Sequence, residues 1–341
     1  MNLQELNSKI HQASKSELVA NLASFKIDIA KALNHAEESE AYYRNHTGRE
    51  LYRKLNNFGL GSEISSIGDA HDNGFRPLTV NGIKSILYDP SIDLNSSVLL
   101  AWYSASHSST ITKNASNGVA VWSDKSGNSN DLTGNTKTHS SPITGTSTQN
   151  SLNVIDLDGD DFFLLEGYST PANGDLQAFI VCEVTESNNN QDSILSMNAP
   201  NRDWQISAGN ASQFRGILHF ANQKPYASTT VASNAGLKGY HMFCADLDLT
   251  DDSAYQLIVD GERLAGTHER VYSDKIATTV DFGVFRNRGE NQFPQGSVAE
   301  VLLLNNTDNT VRQKVEGYLA HKWGIESLLP GSHPYKASAP S

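Results

Sequence analysis

Four carboxylates fall within six residues at Asp156-Leu-Asp-Gly-Asp-Asp161. Oxygen donors at that density suit a hard cation, calcium before others. An EF-hand loop needs a longer ligand series closing on Glu, and none follows here. The competing reading is a turn between two apolar strand-like runs, 154–157 and 162–165. Asp124, Asn128 and Asp131 offer a second group of oxygens. Asp and Asn at such positions also organise turns through their own backbone. No cofactor and no resident metal are therefore expected, calcium being the one ion these loops would suit.

Hydrolysis of a glycosidic bond needs two carboxylates flanking the bond, about 5 Å apart in retaining enzymes. The apolar run 299–304 carries Glu300 alone. Glu183 and Glu186 flank another run, but odd spacing sends them to opposite faces of a regular strand. The eleven histidines show no metal-ligand spacing, and neither Gly-x-Ser-x-Gly nor a P-loop occurs. No catalytic residue is assigned, and a non-enzymatic protein is expected.

Sugar recognition uses an aromatic face with hydrogen-bonding partners around it. Trp204, Tyr226 and Phe293 are the loop-adjacent aromatic candidates, with Arg215, His219 and Arg286 as polar partners. Trp102, Trp122 and Trp323 lie in strand-like or helical runs and are assigned to the core.

These side chains need a scaffold. From residue 98 onward the chain reads as about a dozen short strands separated by Gly, Asn, Asp and Ser turns. Among them are 98–103, 178–185, 240–247, 255–259 and 298–304, with an Asp260-Gly261 hairpin turn after the fourth. Many strands without interleaved helices predict a two-sheet antiparallel sandwich. A polar turn at 305–309 then leads into a short helix ending at Gly324.

Residues 1–57 read differently. Leu18, Leu22, Phe25, Ile29, Ala32 and Ala36 alternate steps of four and three, the seam of a coiled coil or bundle. Ser14 with Glu17 forms a capping-box signature. One seam buries too little to fold alone, so Leu18, Leu22, Phe25 and Ile29 are assigned to anchoring or oligomerisation. Residues 58–97 are broken by Gly59, Gly61, Gly68, Gly74, Pro77, Gly82 and Pro90 and read as an irregular connector.

The chain has 341 residues and a formal charge of −12, unevenly placed. Residues 1–57 hold eight basic and seven acidic side chains, which leaves 18 basic and 31 acidic, or −13, for the rest. An acidic β-body excludes a nucleic-acid partner, which needs a basic footprint. Hydrophobic residues make up 38%, and no apolar run reaches the ~18 residues of a membrane span, so no insertion is expected. Cys182 and Cys244 sit in apolar runs and read as buried thiols rather than a disulfide. The start, Met-Asn-Leu-Gln-Glu-Leu, lacks the basic and apolar regions of a signal peptide.

Three segments carry a family likeness: Leu99-Leu-Ala-Trp-Tyr-Ser-Ala-Ser-His-Ser-Ser-Thr-Ile111, Val121-Trp-Ser-Asp-Lys-Ser-Gly-Asn128, and the unit from Gly296 to Gly324 with Leu329-Pro330 and His333-Pro-Tyr335. Together they resemble concanavalin A-like (laminin G-like) jelly-roll domains of bacterial surface and phage virion proteins. The family often has Asp where this chain has Ser104 and Ser106. The resemblance implies a mainly β, two-sheet antiparallel jelly roll over 98–337, with a helical N-terminal region and a short C-terminal helix. It implies a non-enzymatic bacteriophage structural protein, as a head decoration, fibre or tail-associated component. The N-terminal helices would contact other virion proteins and further copies of the chain. The lectin-like domain would adhere weakly to host surface glycans from the virion surface, after assembly in the host cytoplasm. The alternatives are a bacterial cell-surface adhesin and a polysaccharide hydrolase.

Overall fold

The computed structural model describes residues 88, 90–136, 142–187, 192–199, 202–209, 213–220, 227–230, 239–248, 251–264, 267–268, 279–286 and 293–340. The expected anchor residues Leu18, Leu22, Phe25 and Ile29, and most of the connector, lie outside them, as does Tyr226. A short helical turn, Pro90–Asp93, belongs to a separate unit. Residues 94–336 form one compact unit that is mainly β.

That unit holds two antiparallel sheets. In the first, eight-stranded sheet the neighbours run β15 (Glu262–Arg263), β14 (Asp251–Val259), β13 (His241–Asp248), β8 (Asp175–Glu186), β18 (Gln295–Leu304), β6 (Leu152–Asp158) and β5 (Ile143–Gln149). Strand β1 (Leu99–Ser104) also pairs with β18. The second, ten-stranded sheet runs β16 (Thr267–His268), β12 (Ala227–Thr230), β11 (Gln213–Phe220), β10 (Arg202–Gly209), β9 (Asp192–Ala199), β17 (Thr279–Val284), β7 (Asp161–Ser169), β4 (Leu132–Thr136), β3 (Val119–Trp122) and β2 (Ile111–Lys113).

Alternation explains the core. Ile155 and Leu157 on β6, Ile180 and Cys182 on β8, and Val298, Val301 and Leu303 on β18 point inward. From the other sheet come Trp122, Phe163, Leu195, Ile206 and Phe282. Aromatic contacts join the layers: Tyr103 of β1 packs 6.5 Å from Phe282 and 5.7 Å from Trp122. Cys182 and Cys244 are free, buried thiols, as the sequence led us to expect.

Helix α1 (Asn309–Trp323) follows β18 as expected. The Asp308 side chain accepts from the Thr310 N–H at 2.6 Å and caps its start. Gly324 ends it in the left-handed region at φ 68°. Two side chains from the β5–β6 turn satisfy its last carbonyls: Gln149 Nε2 donates to Trp323 O, and Asn150 Nδ2 to Lys322 O. No helix among the described residues is long and apolar enough to cross a membrane.

Candidate binding site

Two polar groupings dominate the first sheet, one closed and one open. The closed one centres on Glu300, which is fully buried on β18. Its Oε1 accepts from Trp102 Nε1 at 2.6 Å and from the Tyr318 hydroxyl at 2.9 Å. Its Oε2 accepts from Trp323 Nε1 at 2.7 Å and pairs with Lys322 Nζ at 2.8 Å. Burial alone would raise this carboxyl's pKa. The Lys322 ammonium and the two indole donors outweigh burial and hold it below the usual range. One carboxylate thus binds β1, β18 and α1 together, and all four of its contacts are made within the fold.

The Asp124 loop is likewise occupied. Asp124 Oδ1 accepts from the N–H groups of Trp102 and Ser126, and Oδ2 from Ser126 Oγ and Asn130 N. Asp131 accepts from Asp124 N, and Asn128 Nδ2 donates to the carbonyls of Leu99 and Leu100. These residues pin the loop to β1, in the manner of turn-organising Asp and Asn.

The open grouping crosses the strands. Ser297 on β18 pairs with Asp156 on β6 on one side and with Glu183 on β8 on the other. Partners in register share a face, so these three side chains form a row. Two strand spacings place the outer pair roughly 10 Å apart at the backbone. Tyr240, directly before β13, extends the row. Burial raises its phenol pKa, the hydrogen bond with Ser297 opposes that, and the charges of Glu183 and Asp156 raise it further, so it stays neutral. Thr146 Oγ1 donates to Asp156 Oδ2 at 2.5 Å from the β5 side.

The row lines a cavity of 370 Å³, walled also by Ser147, Thr148, Asp158, Asp161, Thr185 and Gln295. Among the described residues, four carboxylates and no basic side chain border it. Gly296 is required at its floor: a Cβ there would lie 2.0 Å from the Glu183 carbonyl oxygen. At one corner Asp158, Asp160 and Asp161 lie at the turn that carries the chain from β6 in the first sheet to β7 in the second. Asp161 is 1% exposed. Burial, with the nearby charges of Asp158 and Asp160, raises its pKa to about 8 against one opposing backbone N–H.

The residues chosen from sequence for sugar stacking fare differently. Trp204 is a correction: it is 0% exposed and belongs to the core between the sheets. A ring with no open face cannot stack on a sugar. Arg286 and Phe293 do come together, both as neighbours of the Phe162 ring. Phe293 stacks 5.3 Å from Phe162, and the Arg286 guanidinium lies 5.7 Å from that ring. Arg286 is nearly buried there, so it is corrected from a displayed sugar partner to a packed one. Arg215 and His219 lie on β11, their side chains outside the described set. The described candidates therefore do not converge on one platform. The cavity's carboxylates were each considered in sequence but not joined into one site, because the lining comes from five strands, β5, β6, β7, β8 and β18, and from Tyr240 before β13. Their one sequence signal is a polar residue at the outward position of an otherwise apolar strand, as at Asp156 and Glu183.

The architecture is that of a two-sheet antiparallel β-sandwich with one C-terminal helix. No family model matches the sequence, and no curated protein matches it. Among solved structures it is similar to domain 4 of an extracellular arabinanase from Geobacillus stearothermophilus in complex with arabinotriose, at 11% identity and TM-score 0.44, over 61% of this chain and 93% of that one. It is also similar to Trypanosoma rangeli sialidase in complex with the inhibitor DANA, at 14% and 0.45, over 62% of this chain and 31% of the sialidase. A third is the binding domain of botulinum neurotoxin serotype D, at 12% and 0.44, over 69% of this chain and 52% of that one. The match thus spans a third of the sialidase and half of the neurotoxin domain. These TM-scores lie below 0.5, so the functional reading rests on the site's own geometry.

Proposed function

We propose that the sandwich is a lectin-like jelly roll that binds a neutral polyhydroxylated ligand, a surface glycan, in the cavity bounded by Asp156, Glu183, Tyr240 and Ser297. The observation that carries this is the lining: carboxylates and hydroxyls along one phenol ring, with no basic side chain among the described residues. Carboxylates accept from sugar hydroxyls, Ser and Thr hydroxyls both donate and accept, and the tyrosine ring offers an apolar edge. An anionic polymer is disfavoured by the same four carboxylates and by the −13 outside residues 1–57. In this proposal the ligand is held without being cleaved. Residues 1–57 attach the module, in several copies, to a bacteriophage particle, where multivalency compensates for weak single sites. A bacterial surface adhesin is the alternative carrier. Full-length protein should be retained on immobilised host-envelope polysaccharide, and Asp156→Asn with Glu183→Gln should lower that retention at least tenfold. Undiminished retention by the double variant would sink the assignment, and absence from purified virions would sink the phage attachment.

One observation favours a second reading. Asp156 and Glu183 flank Ser297 at a spacing compatible with the two carboxylates of an inverting glycosidase. Release of reducing ends from the retained polysaccharide, abolished in Glu183→Gln, would replace the binding proposal with this one.

A further inference from the structure

The β6–β7 turn at the corner of the cavity gathers three carboxylates. Asp158, Asp160 and Asp161 each offer a carboxylate oxygen, and these atoms all lie within 4.8 Å of one another. Inside the turn, Asp158 Oδ1 accepts from Asp160 N at 3.4 Å, and Asp161 Oδ2 accepts from Asp158 N at 3.3 Å. Asp161 Oδ1 is different: it is buried with no hydrogen-bond donor, on a residue 1% exposed. Ionising a buried oxygen without a partner is costly, and a bound cation would supply that partner. Among the described residues no Lys, Arg or His lines the adjoining cavity.

We propose that Asp158, Asp160 and Asp161 hold a divalent cation of the calcium class, with its open side turned to the cavity. The donor set is all hard oxygen, without the nitrogen or sulfur that zinc prefers. Calcium–oxygen distances of about 2.3–2.6 Å let two ligands of one ion stand up to ~5 Å apart. Oxygens that all lie within 4.8 Å of one another fall inside that reach, and magnesium, which demands near-ideal octahedral geometry and keeps several of its waters, is the poorer match to a three-carboxylate turn. The burial gradient also fits. Asp161 is buried, Asp160 half-buried and Asp158 exposed, so protein closes one side of the ion and leaves the other to water or a ligand hydroxyl. Asp158 and Asp161 themselves line the cavity, which places the ion where a bound glycan could complete its shell. That last step rests on the glycan reading; the cation site does not.

The test uses full-length protein freed of metal with a chelator. Titration with calcium chloride by calorimetry should give saturable binding at one site per chain, with a rise in melting temperature. Asp161→Asn should weaken that binding more than tenfold. Asp160→Asn, at a half-buried position that tolerates an amide, should do likewise and guards against a folding defect in the first variant. Glu262→Gln, on exposed β15, should bind calcium as the parent does. Absence of calcium binding, or equal binding by both turn variants, overturns the proposal, and equal affinity for magnesium overturns the calcium assignment. Calcium binding without polysaccharide retention supports this site while removing the glycan reading. Retention unchanged by calcium, with no heat of calcium binding, removes this site alone.

Discussion

Replacing Glu300 by Gln tests whether one carboxylate closes the sandwich. The substitution preserves shape and removes one acceptor. At present Oε1 serves Trp102 and Tyr318, and Oε2 serves Trp323 and Lys322. An amide can keep one pair by turning its oxygen to it. Its NH₂ then faces two donors, and at least one indole N–H or the Lys322 ammonium is left without a partner. Lys322 is 15% exposed, and its remaining contacts are Ser104 Oγ and the Tyr318 hydroxyl. Removing one member of a buried ion pair costs about 3–5 kcal/mol. For a unit of this size, 1 kcal/mol shifts the melting midpoint by roughly 2–4 °C, so a fall on the order of 6–20 °C is expected. Urea and thermal melts followed by tryptophan fluorescence suit the question, because Trp102 and Trp323 touch the carboxylate directly. Adding Lys322→Met removes the stranded cation, so the double variant should lose less than the sum of the two single losses. A single-variant loss under about 1 kcal/mol, or strictly additive losses, would refute the clamp.

Trp204→Ala should destabilise the unit by about 3–5 kcal/mol, as a core truncation does, and a folded variant of unchanged stability that has lost only glycan retention would contradict its burial. Gly296→Ala forces a Cβ to within 2.0 Å of the Glu183 carbonyl, so it should lower the melting midpoint and impair retention together, measured on the same preparation. In chelator, Asp161 carries a folded pKa raised from 3.8 to about 8. A raised pKa contributes stability that is full below the unfolded value and is lost as pH rises toward the folded one. Urea midpoints between pH 4 and 9 should therefore fall more steeply for the parent than for Asp161→Asn, and equal slopes would count against the burial of that carboxyl.

The architecture was readable where local chemistry sets it. The polar turn at 305–309 and Gly324 bound the final helix in sequence, and the structure places Asp308 of that turn as its cap, because caps act within one turn. The apolar runs at 98–103, 178–185 and 298–304 became β1, β8 and β18, since alternation and burial act along one strand. The joint role of Trp102 and Trp323 was not readable. Both were assigned to the core, but their shared acceptor, Glu300, is 198 residues from the first and 23 from the second. Trp204 was misjudged by its nearness to a loop, although it alternates with the inward Ile206 two residues on. The period-two pattern of β10 was a better guide than position along the chain.

The cavity failed to appear in sequence for a physical reason. Its row runs perpendicular to the strands, and alternation gives the face of a residue without giving its neighbour. The neighbour depends on register, and β18 shifts register against β8 between Gln295 and Gly296 and again between Val298 and Glu300. Each bulge changes which side chain stands beside which. Without them Ser297 could not be placed between Asp156 and Glu183, and Glu300 could not be turned to the helix side while Val298 and Val301 point inward. The same irregularities therefore separate the two polar groupings of this sheet. One carboxylate is sealed beneath α1 and spends its oxygens on the fold, and the others stand on the far side of the bulges, bordering the cavity.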